Sequence, residues 1–407
     1  MIKIEIDDQI RTEIETLHWK WFWNYVQKKE IPLVKPLKNG KRDVFSFLED
    51  IFGWNKDALH SLILAENEPK AKNNSSLLDY IAEDNDIRKK YLNKKDNKIS
   101  IKKRGWKSPQ KHTVHQIMLE YFGYEAFSNG VALSEVPQIK NWNAYSFTKT
   151  LNTNVCPYCG RQYIFTISDG NGRPQIDHFY PKEEYPYLSC SLYNFIPSCS
   201  LCNQQKSNVF NKYLKDDKIK KKKALIAKDN FISTLYPYAE SFEDKNSKGE
   251  SYAKFHVFYK EPKQDEFLDT PKSKTSLNDV ISVGIKVNDS PIKDKIHNSI
   301  EAFHLNELYS CHKIELEDLL TRYRNYSKPK IDEITKLIVN AQLSTQALDD
   351  TVNQVAKIYT KRIKRTILGL PLGAGDKQYP LRKFKEDIIE QLDNTRQKMQ
   401  EEAKSSK

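Results

Sequence analysis

No stretch of this chain is apolar over the roughly 18 residues that a helix needs to cross a bilayer. The opening Met1-Ile2-Lys3-Ile4-Glu5-Ile6 alternates charge where a secretory signal would be apolar. The expectation is a cytoplasmic protein with no membrane partner. Cysteine is scarce, at 6 in 407 residues, which argues against a disulfide-stapled extracellular scaffold. There is no internal repeat and no GxxxxGK[ST] phosphate loop, so solenoids and P-loop NTPases drop out. Acidic residues are outnumbered, 54 against 66 Lys and Arg, for a net charge of +12. That excess points to a polyanionic partner such as nucleic acid. With 38% hydrophobic and 29% charged residues, the chain is long enough for two or three domains with cores of their own.

The cysteines that are present are not scattered. Cys156-Pro157-Tyr158-Cys159 and Cys199-Ser200-Leu201-Cys202 are two pairs at the spacing that lets two thiolates grip one tetrahedral Zn²⁺. Between the pairs lies Asp177-His178, and Asn203 follows the last cysteine directly. Cys190 and Cys311 are left without a partner and are expected as buried free thiols. His112, His115, His304 and His312 fall in helix-like stretches and read as packing or surface residues.

Three strings carry a resemblance: Ile176-Asp177-His178-Phe179-Tyr180-Pro181, then Tyr193-Asn194-Phe195-Ile196-Pro197-Ser198-Cys199, then Cys202-Asn203-Gln204-Gln205-Lys206-Ser207-Asn208. Together they resemble the HNH nuclease family, over about Val155 to Asn208, roughly an eighth of the chain. The resemblance implies a ββα unit around one divalent metal. It places Asp177 at the metal-binding position, His178 at the general base, Asn194 at the residue that braces the His, and Asn203 at the helix-borne ligand. The cysteines match the zinc knuckle of a large subgroup and would hold a structural ion. Many members carry His at the position of Asn203 and again at that of Ser207. The Asn form is similar to the HNH domain of RNA-guided CRISPR nucleases. Asn208 is a further candidate ligand.

The chemistry suits these residue types. Phosphodiester hydrolysis needs a base near neutrality, which an imidazole with an ordinary pKa near 6.5 supplies. Negative charge growing on the phosphoryl and leaving oxygens is stabilised by a hard cation, and the oxygens of Asp177 and Asn203 favour Mg²⁺ or Mn²⁺. Outside the motif, His304-Leu305-Asn306-Glu307-Leu308-Tyr309 and Tyr379-Pro380-Leu381-Arg382-Lys383-Phe384 resemble the downstream parts of the HNH component of Septu-type and retron-associated anti-phage systems. This resemblance implies an endonuclease acting on DNA, with RNA as the alternative substrate, in defence alongside an ATPase partner. The competing reading is a non-catalytic, zinc-bearing nucleic-acid-binding or scaffold protein.

Coarse patterning predicts a mostly α chain with a central ββα-metal unit and a small β region, α+β overall. Residues 1–145 read as a helical N-terminal domain, 146–235 as the nuclease unit with its knuckle, 236–290 as a small β-containing segment, and 291–407 as a helical C-terminal region. Asp43 caps a helix that stops at Gly53, and Thr113 starts another that ends at Gly123. The Trp19, Trp21, Phe22 and Trp23 cluster reads as core. Arg161 to Ser168 reads as a strand entering an Asp169-Gly170-Asn171-Gly172 turn, Tyr193 to Ile196 as the next strand, and Ser198 or Ser200 as the cap of a helix bearing Asn203 and Lys206. Lys206 is expected to face phosphate. The polar stretch from Asn67 to Lys107 reads as partly a loop. Lys254 to Tyr259 and Val280 to Val287 are expected strands, Ser344 to Thr366 an expected helix, and Gln397 to Lys407 a frayed tail. Basic runs at Arg88-Lys89-Lys90, Lys94-Lys95, Lys102-Lys103-Arg104 and Lys220 to Lys223 are candidate phosphate contacts.

Overall fold

The computed structural model describes residues 1–66, 76–87, 98–130, 141–167, 172–206, 234–259, 281–342, 349–372 and 378–405. The turn at 168–171, Ser207, Asn208 and the basic runs 88–90, 94–95 and 220–223 lie outside them. The first helix, Asp8–Lys28, starts where the Asp7 carboxylate accepts the Ile10 amide at 2.7 Å. Ile14, His18, Trp21, Phe22, Tyr25 and Val26 form its buried stripe. Val44–Phe52 is capped by Asp43 and ends at Gly53 in the left-handed conformation. Val114–Tyr121 opens with a Thr113/Gln116 capping box. Gly123, with φ of 116°, follows it, and a Cβ there would stand 3.0 Å from the Tyr25 ring. The polar stretch expected as loop contains the short helices Leu77–Ala82 and Asp84–Ile87 and the strand β1, Ile99–Ile101. A Ser76/Asp79 capping box starts the first of these, a local signal that outweighs the polar composition.

Strands form three antiparallel pairs among the described residues. β1 pairs with β2, Gln110–His112; β3, Gln175–His178, pairs with β4, Phe195–Ser198; and β5, Ala253–Tyr259, pairs with β6, Ile281–Val287. The β5/β6 ribbon falls within a residue of expectation. Residues 161–167 differ, holding only isolated bridges, Val155 to Tyr163 and Ile167 to Gly172. Their hydrogen bonds go to Thr148, Asn154, Cys156, Gly172 and His312, none of which lies in a strand. β4 begins later than expected because Leu192–Asn194 is a 3₁₀ turn.

Downstream run the helices Lys293–Ala302, Leu305–Ser310, Lys313–Asn325, Lys328–Gln342, Asp349–Ile367 and Arg382–Ser405. The last continues through the tail expected to fray; it is rich in Gln, Glu, Lys and Ala, which favour helix, and Gln397 bonds Glu401 one turn on. One hydrophobic core extends from Met1 to Leu305 and takes in the first helix, the cysteine pairs and the β3/β4 hairpin. A second joins β5 to the C-terminal helices through Phe255, Leu319, Phe384 and Ile388. The architecture is mixed α+β, mainly helical. Cys190 is buried as expected, but Cys311 is exposed, its thiol turned to the Glu307 carbonyl.

Candidate metal centre and histidine site

Cys156 and Cys159 sit on a tight turn closed by Gly160 N to Cys156 O at 2.8 Å, with Gly160 at φ 64°. Cys199 precedes the helix at 200–206, whose first turn carries Cys202 and is closed by Asn203 N to Cys199 O at 3.1 Å. The hairpin brings the two turns together. The four Sγ atoms lie within 4.8 Å of one another, all four residues are buried, and none forms a disulfide. A tetrahedral zinc site with Zn–S near 2.3 Å has sulfur–sulfur edges of about 3.8 Å, so these residues fit Zn²⁺. The Cys199 thiol is held low by hydrogen bonds from Cys156, Cys159 and Cys202, whereas burial pushes Cys156 up. A metal that takes thiolates resolves that conflict. Tyr309 ties the C-terminal region to the knuckle by donating to Cys159 O at 2.7 Å.

On β3, alternation sends neighbouring side chains to opposite faces. The helix at 200–206 crosses the face that carries Gln175 and Asp177. Asn203 Nδ2 donates to Gln175 Oε1 at 2.7 Å, and Lys206 Nζ donates to Asp177 Oδ2 at 2.5 Å. Asp177 Oδ2 also accepts from the Tyr158 hydroxyl at 2.6 Å. Lys206 completes its shell with the His178 and Phe179 carbonyls at 2.7 and 2.8 Å and lies 5.1 Å from the Phe179 ring centre. Lys206 is therefore 5% exposed and does not face solvent or phosphate, in contrast to its expected role. Burial drives the Asp177 carboxyl up and the Lys206 amine down, while each draws the other back. Three oxygen acceptors match the three ammonium protons, which favours the charged pair. With Lys206 seated on Asp177, the arrangement does not fit a hydrated Mg²⁺ or Mn²⁺ between Asp177 and Asn203.

His178 leaves the other face. Its ring lies edge-on to Tyr124 at 4.3 Å and to its cross-strand partner Phe195 at 5.4 Å. Nε2 stands 3.0 Å from Ser189 O, so that nitrogen carries the proton and Nδ1 is the accepting one. Burial lowers the imidazole pKa to about 3 and leaves the residue 8% exposed, so the ring is neutral but a weaker base than the near-neutral imidazole expected from sequence. Asn194, also fully buried, staples the loop that bears Ser189. Its Oδ1 accepts from Tyr180 N at 2.7 Å, and its Nδ2 donates to the Tyr180 and Leu188 carbonyls at 3.0 Å. Asn194 thus bonds the residue directly before Ser189, whose carbonyl meets His178. No sequence signal points to Tyr158, Gln175 or Ser189. Lys206, three positions after Asn203 on the same helix face, is expected at the site from sequence, but facing phosphate and not Asp177.

Compared with family models, curated proteins and solved structures, the chain has no significant match to any of them.

Proposed function

We propose that this protein is an HNH-type endonuclease that hydrolyses phosphodiester bonds in DNA or RNA, with His178 as the base and the four-cysteine cluster as its structural zinc. The observation that supports this reading best is the neutral, carbonyl-anchored His178 on a hairpin-and-helix unit clamped by the cysteines. Nε2 is committed to Ser189, so Nδ1 is the lone pair able to take a proton from water. Asn194 fixes the tautomer by fixing the loop. The chain's +12 charge suits a polyanionic substrate. A role in defence beside an ATPase belongs to the same proposal and rests on the resemblance alone.

A second reading, a zinc-bearing nucleic-acid-binding protein without catalysis, is favoured by one observation: Asp177 is consumed by a buried ion pair with Lys206. A plasmid-nicking and RNA-cleavage assay separates the two. The nuclease reading expects cleavage, tested with and without added Mg²⁺ or Mn²⁺ because Lys206 occupies Asp177, that is lost in His178→Ala with zinc content unchanged. Full activity in His178→Ala defeats the base assignment. Binding without cleavage under every metal condition favours the second reading.

A further inference from the structure

Tyr163, Phe165 and Ile167 are 48%, 54% and 57% exposed, an unusual set of adjacent large apolar side chains on a folded surface. Their segment is extended, bridged at Val155–Tyr163 and Ile167–Gly172 and held by Ile164 N to Asn154 O at 2.9 Å. Alternate residues therefore face opposite ways. Ile164 is buried and the Thr166 hydroxyl bonds that of Thr148 at 2.9 Å, while the three odd-numbered residues look outward. The Tyr163 and Phe165 rings stack on each other, 4.7 Å between centroids and 20° between planes. Each ring covers part of the other, and about half of each side chain stays exposed.

Along the sequence the flanking charge is of one sign, and in space the His312 that meets Arg161 also pairs with Glu315 at 3.1 Å. Between Glu135 and Asp169 the chain has no acidic residue, against Lys140, Lys149 and Arg161. Lys149 is exposed and adjoins Thr148, the residue that anchors Thr166. Arg161 lies two residues before Tyr163, its guanidinium oriented by His312 at 2.7 Å.

We propose that Tyr163 and Phe165, flanked by Ile167, form a stacking platform for the unpaired bases of a single-stranded nucleic acid. Stacked aromatic rings in a basic setting receive bases of any sequence, because every base has a π-face. The inference rests on the nucleic-acid reading above but not on catalysis. The strip continues directly from the Cys156–Cys159 turn, to which Cys156 N to Gln162 O at 3.0 Å ties it.

The test is fluorescence anisotropy of a labelled oligo-dT with the full-length, zinc-loaded protein and no added Mg²⁺ or Mn²⁺. Tyr163→Ala and Phe165→Ala are each expected to weaken binding about fivefold or more, and the pair roughly thirtyfold. The slope of log affinity against log salt should stay unchanged, because no phosphate contact is lost. Tyr163→Phe with Phe165→Trp should retain binding. Both sites are exposed, so melting temperature and zinc content serve as fold controls. Wild-type affinity in the double alanine variant overturns the platform. So does a variant that binds oligo-dT normally while losing a self-association that the wild type shows in sedimentation, which would make the strip a protein interface. If the wild type binds duplex but no single strand, the platform alone fails. If it binds no nucleic acid at all, the reading above fails with it.

Discussion

At the scale of the residue, the Lys206 ammonium is the least expected group in the site. Taking a carboxylate and an ammonium out of water is costly, and the pair holds because Tyr158 and two backbone carbonyls complete its shell. Removing one partner should therefore cost more than removing both. Lys206→Met alone leaves Asp177 buried and uncompensated, with an expected loss of about 3–5 kcal/mol in urea unfolding. Asp177→Leu combined with Lys206→Met should recover most of that loss. If Lys206→Met alone is as stable as the wild type, the pair does not hold the hairpin to the helix. Adding Mn²⁺ to Lys206→Met also shows whether the freed carboxylate takes a divalent cation, by enhanced water proton relaxation that the wild type does not produce.

At the scale of the element, the cysteine turns, the β3/β4 hairpin and the helix at 200–206 are separate short pieces with little stability of their own, since an isolated hairpin is marginal in water. A metal that links the two turns is expected to hold them. One zinc per chain should be found by elemental analysis. Cys199→Ser should lower that stoichiometry and the melting temperature together, because metal binding supplies folding energy. A Cys199→Ser variant that keeps full zinc and an unchanged melt would show that the cluster is four buried thiols and no more. The cysteine turns are legible from CxxC spacing, and the helices Val44–Phe52 and Val114–Tyr121 from the Asp43 and Thr113 caps and the stops at Gly53 and Gly123, because all these signals are local. What was not legible depends on tertiary partners. Residues 161–167 have strand composition but no strand to pair with, and Lys206 looked like a surface cation until the strand face opposite it was known. Asn194 is a candidate from sequence, but its hydrogen bonds to the Tyr180 and Leu188 carbonyls exist only once the loop is closed.

At the scale of the whole molecule, the core that runs from Met1 to Leu305 is pinned at its centre by a histidine. His18, fully buried on the first helix, places Nε2 2.8 Å from Cys190 O and accepts the Trp142 indole N–H on Nδ1 at 3.3 Å. Three distant parts of the chain thus meet on one ring, and only the neutral tautomer satisfies both bonds. Burial lowers its pKa from 6.5 to about 4. The unfolded chain then binds the proton more readily than the folded one between those values, so stability is fully present above pH 6.5 and falls as the pH drops towards 4. The expected loss over that window is on the order of 3 kcal/mol from this group. His178, lowered to about 3, adds in the same direction. Urea midpoints measured from pH 7.5 down to 4.5 should decline for the wild type and decline less steeply for His18→Gln, whose amide can still donate to Cys190 O. Subtracting the two series removes what the zinc thiolates and His178 contribute. Parallel curves would mean that His18 is not the group that makes the core acid-sensitive.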